Sequence, residues 1–337
     1  MDATADGAFI ATAGKDNTVR VWRSDGTCVA VGRGHVEAIG ALSIQNSAVT
    51  TNSGDWFVMT GSRDKTIKKW RVPKNLPHDC DNIAELEVVT SVRAHEKDIN
   101  VLSISPNDTI IASASQDRTV KLWNNPTLSK SNNNTTSNSS LTLRAILKGH
   151  KRGVWDVAFS PHDRVLASGS GDGTVKLWSL GRNNDTSPAG GCRCVRTFQG
   201  HSSSVLRVRF LSGGLQLMSS GGDGLLKLWT LRTNECETTL DSHTDKVWAL
   251  DILPQSSTDS SSPITTNLVI SGGADSRLVI WNDVTQREEE ELRREEQKAV
   301  ELEQKLMNHL RGKEYEKALE LSLKLDKPFQ AHKVFLY

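Results

Sequence analysis

Apolar and polar positions along the first 280 or so residues alternate over short runs, and each run breaks at Gly, Ser, Asp or Asn. Val154, Val157 and Phe159 mark one run, Val165-Leu166-Ala167-Ser168 the next, and Thr174-Val175-Lys176-Leu177-Trp178 a third. Runs this short, rich in β-branched and aromatic residues and bounded by turn formers, predict β-strands. From Gln286 the pattern changes abruptly. Arg287-Glu288-Glu289-Glu290-Glu291-Leu292-Arg293-Arg294-Glu295-Glu296 is a strong helix former, and Leu292, Ala299, Leu302, Leu306 and Leu310 follow helical spacing as one apolar seam. Gly312 interrupts it, and Glu314-Tyr315 begins a second predicted helix that Asp326-Lys327-Pro328 ends. The chain therefore divides into an all-β region, 1–284, and the start of an α-helical region, 285–337.

The β region repeats itself. An Asp followed six residues later by Trp occurs six times: Asp16 and Trp22, Asp64 and Trp70, Asp117 and Trp123, Asp172 and Trp178, Asp223 and Trp229, Asp275 and Trp281. Four residues before each Asp sits a hydroxyl: Thr12, Thr60, Ser113, Ser168, Ser219 and Ser271. A His precedes the last five units, as His35, His95, His150, His201 and His243. The interval from His to Trp is 28 residues in the units of His95, His150 and His201. A unit of four short strands recurring at about this period predicts a propeller blade, because one such sheet cannot bury its apolar faces alone.

These residues resemble the WD-repeat family, with its Gly-His and Trp-Asp signature at a period of about 40–45 residues. Gly34-His35, Gly149-His150 and Gly200-His201 match the dipeptide, while Ala94-His95 and Ser242-His243 depart at the Gly, and Trp is never followed by Asp. The resemblance implies a β-propeller of six recognisable blade units. The Asp falls in the tight turn between strands b and c. Trp of strand c, the hydroxyl of strand b and the His of the d–a loop are then expected to bond in series across each blade. That blade network comprises His95, Ser113, Asp117 and Trp123; His150, Ser168, Asp172 and Trp178; and His201, Ser219, Asp223 and Trp229.

Ser, His and Asp together also invite a hydrolase reading. Catalysis needs one activated nucleophile with oxyanion donors in one pocket. Here the set recurs unit after unit with no G-x-S-x-G elbow, so it is read as structural and no catalytic residue is expected. The five cysteines (Cys28, Cys80, Cys192, Cys194 and Cys236) are odd in number and scattered, without paired C-x-x-C motifs. No metal and no cofactor are expected, and the chain reads as intracellular and reduced. No run approaches the roughly 18 apolar residues of a membrane span, and the first residues lack a signal peptide's basic and apolar regions.

The first unit opens on Phe9-Ile10-Ala11-Thr12, which reads as strand b with no strand a, and the sixth passes from Trp281-Asn282-Asp283-Val284 into charged helix without strand d. The chain is expected to be a fragment. The segments Gln45–Asp55, Pro73–Glu85, Asn124–Leu141, Gly181–Gly191 and Gln255–Thr266 read as solvated, irregular inserts on one face. The opposite face is compact. Lys15, Arg63, Lys65 and Arg118 flank the first three turn Asp residues and Lys151-Arg152 follows His150, so a basic crescent suited to phosphate or an acidic segment is expected there. With Lys+Arg at 41 against Asp+Glu at 40, nucleic-acid binding would have to come from such a local patch. Trp155 and Trp248, each five residues after its blade's His, are candidate interface anchors beside the channel mouth.

The tail is narrower in its resemblance. Leu306-Met307-Asn308-His309-Leu310-Arg311-Gly312-Lys313-Glu314-Tyr315-Glu316-Lys317-Ala318-Leu319 and the residues to Phe329 are similar to the start of the C-terminal helical domain of one nucleolar WD-repeat family. That is the family of U3 small nucleolar RNA-associated protein thirteen, or transducin-beta-like protein three in animals. The resemblance implies a nuclear, nucleolar scaffold of the UtpB subcomplex in the small-subunit processome, acting on pre-18S rRNA. Its implied partners are other WD-repeat processome proteins, met through the propeller and through a helical seam of Leu302, Leu306, Leu310, Tyr315 and Leu319, together with U3 small nucleolar RNA or pre-rRNA. Rival readings are a vesicle-coat or ciliary-transport subunit, which also joins propellers to helices, and a ubiquitin-ligase substrate receptor, whose adaptor motif is not seen.

Overall fold

The computed structural model describes residues 1–4, 6–46, 56–73, 76, 83–126, 140–181, 191–255, 266–282 and 285–312. Two compact units emerge. The first holds Met1–Gln255 with Asn267–Trp281, and the second holds Ser256–Thr266 with Asn282–Tyr337.

The first unit is a series of small antiparallel blades. Blade one contains β1 (Asp2–Ala3), β2 (Phe9–Ala13), β3 (Thr18–Arg23) and β4 (Cys28–Arg33). Blade two is β5 (Ile39–Ile44), β6 (Trp56–Ser62) and β7 (Thr66–Val72), followed, after β8 (Ala84–Glu85), by β9 (Glu87–Arg93). Blade three is β10 (Ile99–Ile104), β11 (Ile110–Ser115), β12 (Thr119–Asn124) and β13 (Thr142–Lys148). Blade four is β14 (Val154–Phe159), β15 (Val165–Ser170), β16 (Thr174–Ser179) and β17 (Arg193–Gln199). Blade five is β18 (Val205–Leu211), β19 (Gln216–Gly221), β20 (Leu225–Thr230) and β21 (Cys236–Asp241). Blade six has three described strands, β22 (Val247–Gln255), β23 (Thr266–Gly273) and β24 (Leu278–Asn282).

Two details correct the sequence reading. Blade one does not open at strand b: Asp2 and Ala3 pair with Ala11 and Ile10 as a short inner strand. Asp2 also accepts the Ile44 amide at 2.8 Å, tying this strand to blade two. The Pro73–Glu85 segment is not irregular throughout, because β8 adds in parallel to the outer edge of blade one through Ala30 with Ala84 and Val31 with Glu85. A two-residue strand has no period to read, so neither was visible in the apolar pattern. The rest of the five long inserts falls almost wholly outside the described residues.

The apolar core lies between blades rather than inside them. Ala11, Val21 and Val29 pack with Val58 and Trp70 between blades one and two, and Met59 and Ile67 pack with Leu102 and Ile111 between two and three. Leu122 and Ala145 meet Val157 and Leu166, Val175 and Leu177 meet Val205 and Leu217, and Leu226 meets Val247, Leu250 and Val269. Blades two to five therefore each give one face to the blade before and the other to the blade after, which is why a single blade is not a stable unit.

The turn between strands b and c is built alike from blade to blade. The amide after the turn Asp donates to the carbonyl three residues back, as Lys65 to Ser62 at 3.2 Å, Arg118 to Ser115 at 3.3 Å and Gly173 to Ser170 at 3.2 Å. That residue is left-handed in all six blades, with φ +61° at Asn17, +69° at Lys65, +70° at Arg118, +76° at Gly173, +80° at Gly224 and +62° at Ser276. Gly adopts this conformation freely, whereas a side chain such as Arg costs about 1–2 kcal/mol there. The Asp carboxylate fixes the turn by accepting the amide two residues on, for example Thr119 at 3.0 Å and Thr174 at 3.0 Å.

The inner strands share a second device. Pairing with the next strand slips between Ile39 and Ala41, Ile99 and Val101, Val154 and Asp156, and Val205 and Arg207. The bulged residue is thus Gly40, Asn100, Trp155 or Leu206, and a bulge re-aims the side chain it carries.

The second unit contains α1 (Thr285–Arg311), 27 residues long. Its end is marked by Gly312, whose amide donates to the Asn308 carbonyl at 2.9 Å. No described helix is long and apolar enough to cross a membrane.

Candidate functional site

The recurring hydroxyl is the hub of each blade. In blade three the Trp123 indole N–H donates to Ser113 Oγ at 2.9 Å, His95 Nε2 meets the same oxygen at 2.7 Å, and His95 Nδ1 meets Asp117 at 2.8 Å. Blade four repeats this with Trp178 on Ser168 at 2.8 Å, His150 on Ser168 at 2.7 Å and His150 on Asp172 at 3.2 Å. Blade five has Trp229 and His201 each 2.8 Å from Ser219, with His201 3.0 Å from Asp223. Blade two uses Thr60, His35, Asp64 and Trp70 in the same way, and blade six uses Ser271, His243, Asp275 and Trp281. With Nδ1–H donating to the carboxylate, Nε2 is left to accept the hydroxyl proton, so every polar atom of the series is satisfied.

This geometry sets the charge states. Burial pushes the Asp117 carboxyl up, but hydrogen bonds from His95 and Thr119 outweigh it and hold the group well below the usual carboxylate range. Asp172 is held down likewise, by His150 and Thr174 against burial. Burial lowers the His35 and His201 imidazoles, with Asp64 and Asp223 offsetting only part of the effect. Thr60, Ser113, Ser168, Ser219 and Ser271 are all fully buried. Each of these hydroxyls already serves an indole and an imidazole, which leaves it no approach to a substrate carbonyl.

On the turn face the basic residues divide. Arg63 faces Asp98 at 3.8 Å, so it is partly neutralised, an ion pair across two loops that sequence spacing does not reveal. Lys15 is exposed beside its own turn Asp and Lys65 is partly buried. Arg118, Lys151 and Arg152 are exposed, and among the described residues they enter no ion pair. Arg118 and Lys148 line a cleft of about 410 Å3 with Glu96, Lys121 and His150. Lys151 and Lys176 line the adjoining cleft of about 340 Å3 with Thr197 and Gln199. Of the expected basic crescent, Arg63 thus has an acidic partner at 3.8 Å, while Arg118 and Lys151 line adjoining clefts of blades three and four. Trp155 is partly buried, with Gly171 beneath its indole, and Trp248 is 49% exposed.

Sequence reasoning missed a cluster in the channel. Asp156, its side chain 1% exposed, accepts the Val208 amide at 2.9 Å and faces Arg209 at 2.8 Å and Arg207 at 3.4 Å, while Arg209 reaches Asp251 at 3.6 Å. The signal was present: an Asp inside the apolar run of β14, with Arg at alternating positions of β18. A second missed group is Lys69, whose buried ammonium donates to Asn125 Oδ1 at 2.7 Å and Pro126 O at 3.2 Å and lies over the Phe57 ring. Burial lowers it to about 8. In the tail, Leu302 is partly buried and Leu306 buried, while the side chain of Leu310 and all of Tyr315 and Leu319 lie outside the described residues.

A series of repeated blades held by Trp, hydroxyl, His and Asp defines a WD-repeat propeller. The chain belongs to the family described as WD domain, G-beta repeat, which matches residues 1–23, 26–71, 86–124, 141–179, 192–230 and 234–282. Residues 303–336 match a second family, the Utp13 specific WD40 associated domain. The chain is homologous to U3 small nucleolar RNA-associated protein 13 of Saccharomyces cerevisiae, 43% identical over 164 residues, and to Transducin beta-like protein 3 of Homo sapiens, 40% identical over 166 residues. Each match covers 47% of this chain but only 18% of the relative. The Ribosome biogenesis protein WDR12 homolog of Arabidopsis thaliana is 27% identical over 325 residues, 82% of this chain and 71% of that protein.

Proposed function

We propose that this chain is part of a non-catalytic scaffold of ribosome biogenesis, a nucleolar component of the small-subunit processome within its UtpB subcomplex. In this role it supports U3 small nucleolar RNA-dependent processing of pre-18S rRNA. The observation that carries the reading is the match of residues 303–336 to the Utp13 specific WD40 associated domain directly after the propeller. WD repeats alone serve many unrelated assemblies, so the fold cannot assign a role and the appended segment must. The absence of catalysis is supported by the five buried, fully bonded hydroxyls, which hold blades together.

Partners are other WD-repeat processome proteins, met through the turn face of the propeller and through the leucine seam around Leu302 and Leu306. The test is affinity purification of the tagged full-length protein, with its bound RNA sequenced and its bound proteins identified. Recovery of U3 small nucleolar RNA with processome WD-repeat proteins is the expected result. Recovery of vesicle-coat, ciliary-transport or ubiquitin-ligase subunits without RNA would sink the reading.

A further inference from the structure

We propose that the turn face of blades three to six binds single-stranded RNA, with Trp155 and Trp248 as stacking platforms and Arg118, Lys148, Lys151 and Arg152 as phosphate contacts. The proposal rests on the ribosome-biogenesis reading above and gives it a chemical surface.

The tryptophans come first. Trp155 is the bulged residue of β14, between buried Val154 and buried Asp156, so its indole leaves the pleat that its neighbours obey. In blade three the same step is Asn100, which donates to the Val154 carbonyl at 2.7 Å, and in blade five it is buried Leu206. Those blades spend the position on packing. Blades four and six place an indole there instead, partly buried at Trp155 and 49% exposed at Trp248, and stacking would cover the apolar surface that each leaves open. One guanidinium ties the two sites together, since Arg207 donates to the Trp248 carbonyl at 3.2 Å and to Asp156, next to Trp155, at 3.4 Å.

The cations follow from the same loops. Lys151 and Arg152 precede Trp155 in a loop that is pinned by its backbone: the Lys151 amide donates to Asp172 at 2.8 Å and the Arg152 carbonyl accepts from Ser170 Oγ at 3.1 Å. Their side chains are thereby left to solvent. Arg118 holds a left-handed turn position that blades four and five give to Gly, and with Lys148 it lines the neighbouring cleft. Of the acidic residues there, Asp117 and Asp172 accept from His, Thr and backbone donors, while Glu96 lines the cleft beside Arg118 and Lys148.

Cations alone would suit an acidic peptide equally well. Indoles beside them favour a ligand with both phosphates and unpaired aromatic faces, which is a single strand rather than an A-form duplex whose bases are stacked inside.

The experiment is fluorescence anisotropy of the full chain with a labelled mixed-sequence RNA of about 16 nucleotides, single-stranded or duplex, across a potassium chloride series. Single strands are expected to bind more tightly than duplex. Trp248→Ala is expected to weaken single-strand binding by about fivefold or more, with Trp248→Phe keeping most of it. Replacing both Arg118 and Lys151 by Ala should reduce the salt slope by about 0.7 per lost contact. Trp248 is a surface residue, and an unchanged circular dichroism melt confirms that its Ala variant is folded. Equal affinity for duplex, equal competition by poly-glutamate, or indifference to Trp248→Ala would each overturn the proposal. If the tagged full-length protein recovers processome RNA while the purified chain shows no single-strand preference, this inference fails and the functional reading stands. If the purified chain prefers single strands while the tagged protein recovers coat subunits, the functional reading fails and the surface stands.

Discussion

In blade five, Ser219 gathers the Trp229 indole and the His201 imidazole, both at 2.8 Å; in blade six, Ser271 gathers Trp281 at 3.0 Å and His243 at 2.9 Å. The polar spine is thus the same in both. The apolar positions are not. Leu226, three residues after the turn Asp of blade five, is 0% exposed, whereas Leu278 at the same step of blade six is 69% exposed and Ile280 is 56% exposed. Strand β20 is flanked by β19 and β21, while among the described residues β24 pairs with β23 alone. The difference separates two layers of specification. The hydrogen-bond network is local to a blade and forms even where no outer strand is described, but burial of strand c is a property of its neighbours.

The largest effect should come from the covered apolar step. Leu226→Ala is expected to cost about 2–5 kcal/mol, the range for a truncated core Leu that leaves a cavity. Leu278→Ala is expected to stay within about 0.5 kcal/mol, as for a surface change. Urea denaturation of the two variants side by side checks the contrast, and equal losses would mean that Leu278 is covered after all.

Next in size is the spine itself. Ser219→Ala strips the Trp229 indole and the His201 imidazole of their shared partner inside the protein, and two unmet buried groups cost about 2–4 kcal/mol together. Ser271→Ala strips the same pair in blade six, yet Trp281 is only partly buried and can turn its N–H to water, so about half that loss is expected. A full-sized loss at Ser271 would show that blade six depends on its network as much as blade five.

That same division explains what could be read from residues alone. The repeat was legible because the Asp, the hydroxyl, the His and the Trp are placed by intrablade bonds at nearly fixed intervals, and fixed intervals survive as sequence period. Strand identity and the position of the turns follow from it. What lies between blades leaves no period. The Arg63–Asp98 pair, the seat of Lys69 on Asn125, and the grip of Arg207 and Arg209 on Asp156 join residues some thirty-five to fifty-six positions apart, once each. Composition marks Arg63 and Arg118 alike, and only the fold shows that Arg63 faces Asp98 while Arg118 lines a cleft with Lys148 and Glu96. Trp155 was legible as an extra Trp, but its re-aiming by the bulge was not.

The smallest effect is a drift with pH that the covered blades should carry. His35 and His201 are buried, and burial holds both below the ordinary value of 6.5, with Asp64 and Asp223 only partly compensating. In the unfolded chain both titrate near that ordinary value. As the pH falls through it, the unfolded state therefore takes up protons first, and stability must fall with it until the folded imidazoles protonate in turn. The neighbouring Asp64 and Asp223 carboxylates are themselves held below their ordinary value of 3.8, so over this window they stay ionised and do not reverse the sign. The urea midpoint should thus be lower at pH 5.5 than at pH 7.5, and imidazole NMR should show both rings titrating below the unfolded value. A midpoint that is flat or rises on acidification would mean that these rings are not held neutral, and the bonding series through Thr60 and Ser219 would have to be redrawn with imidazolium donors.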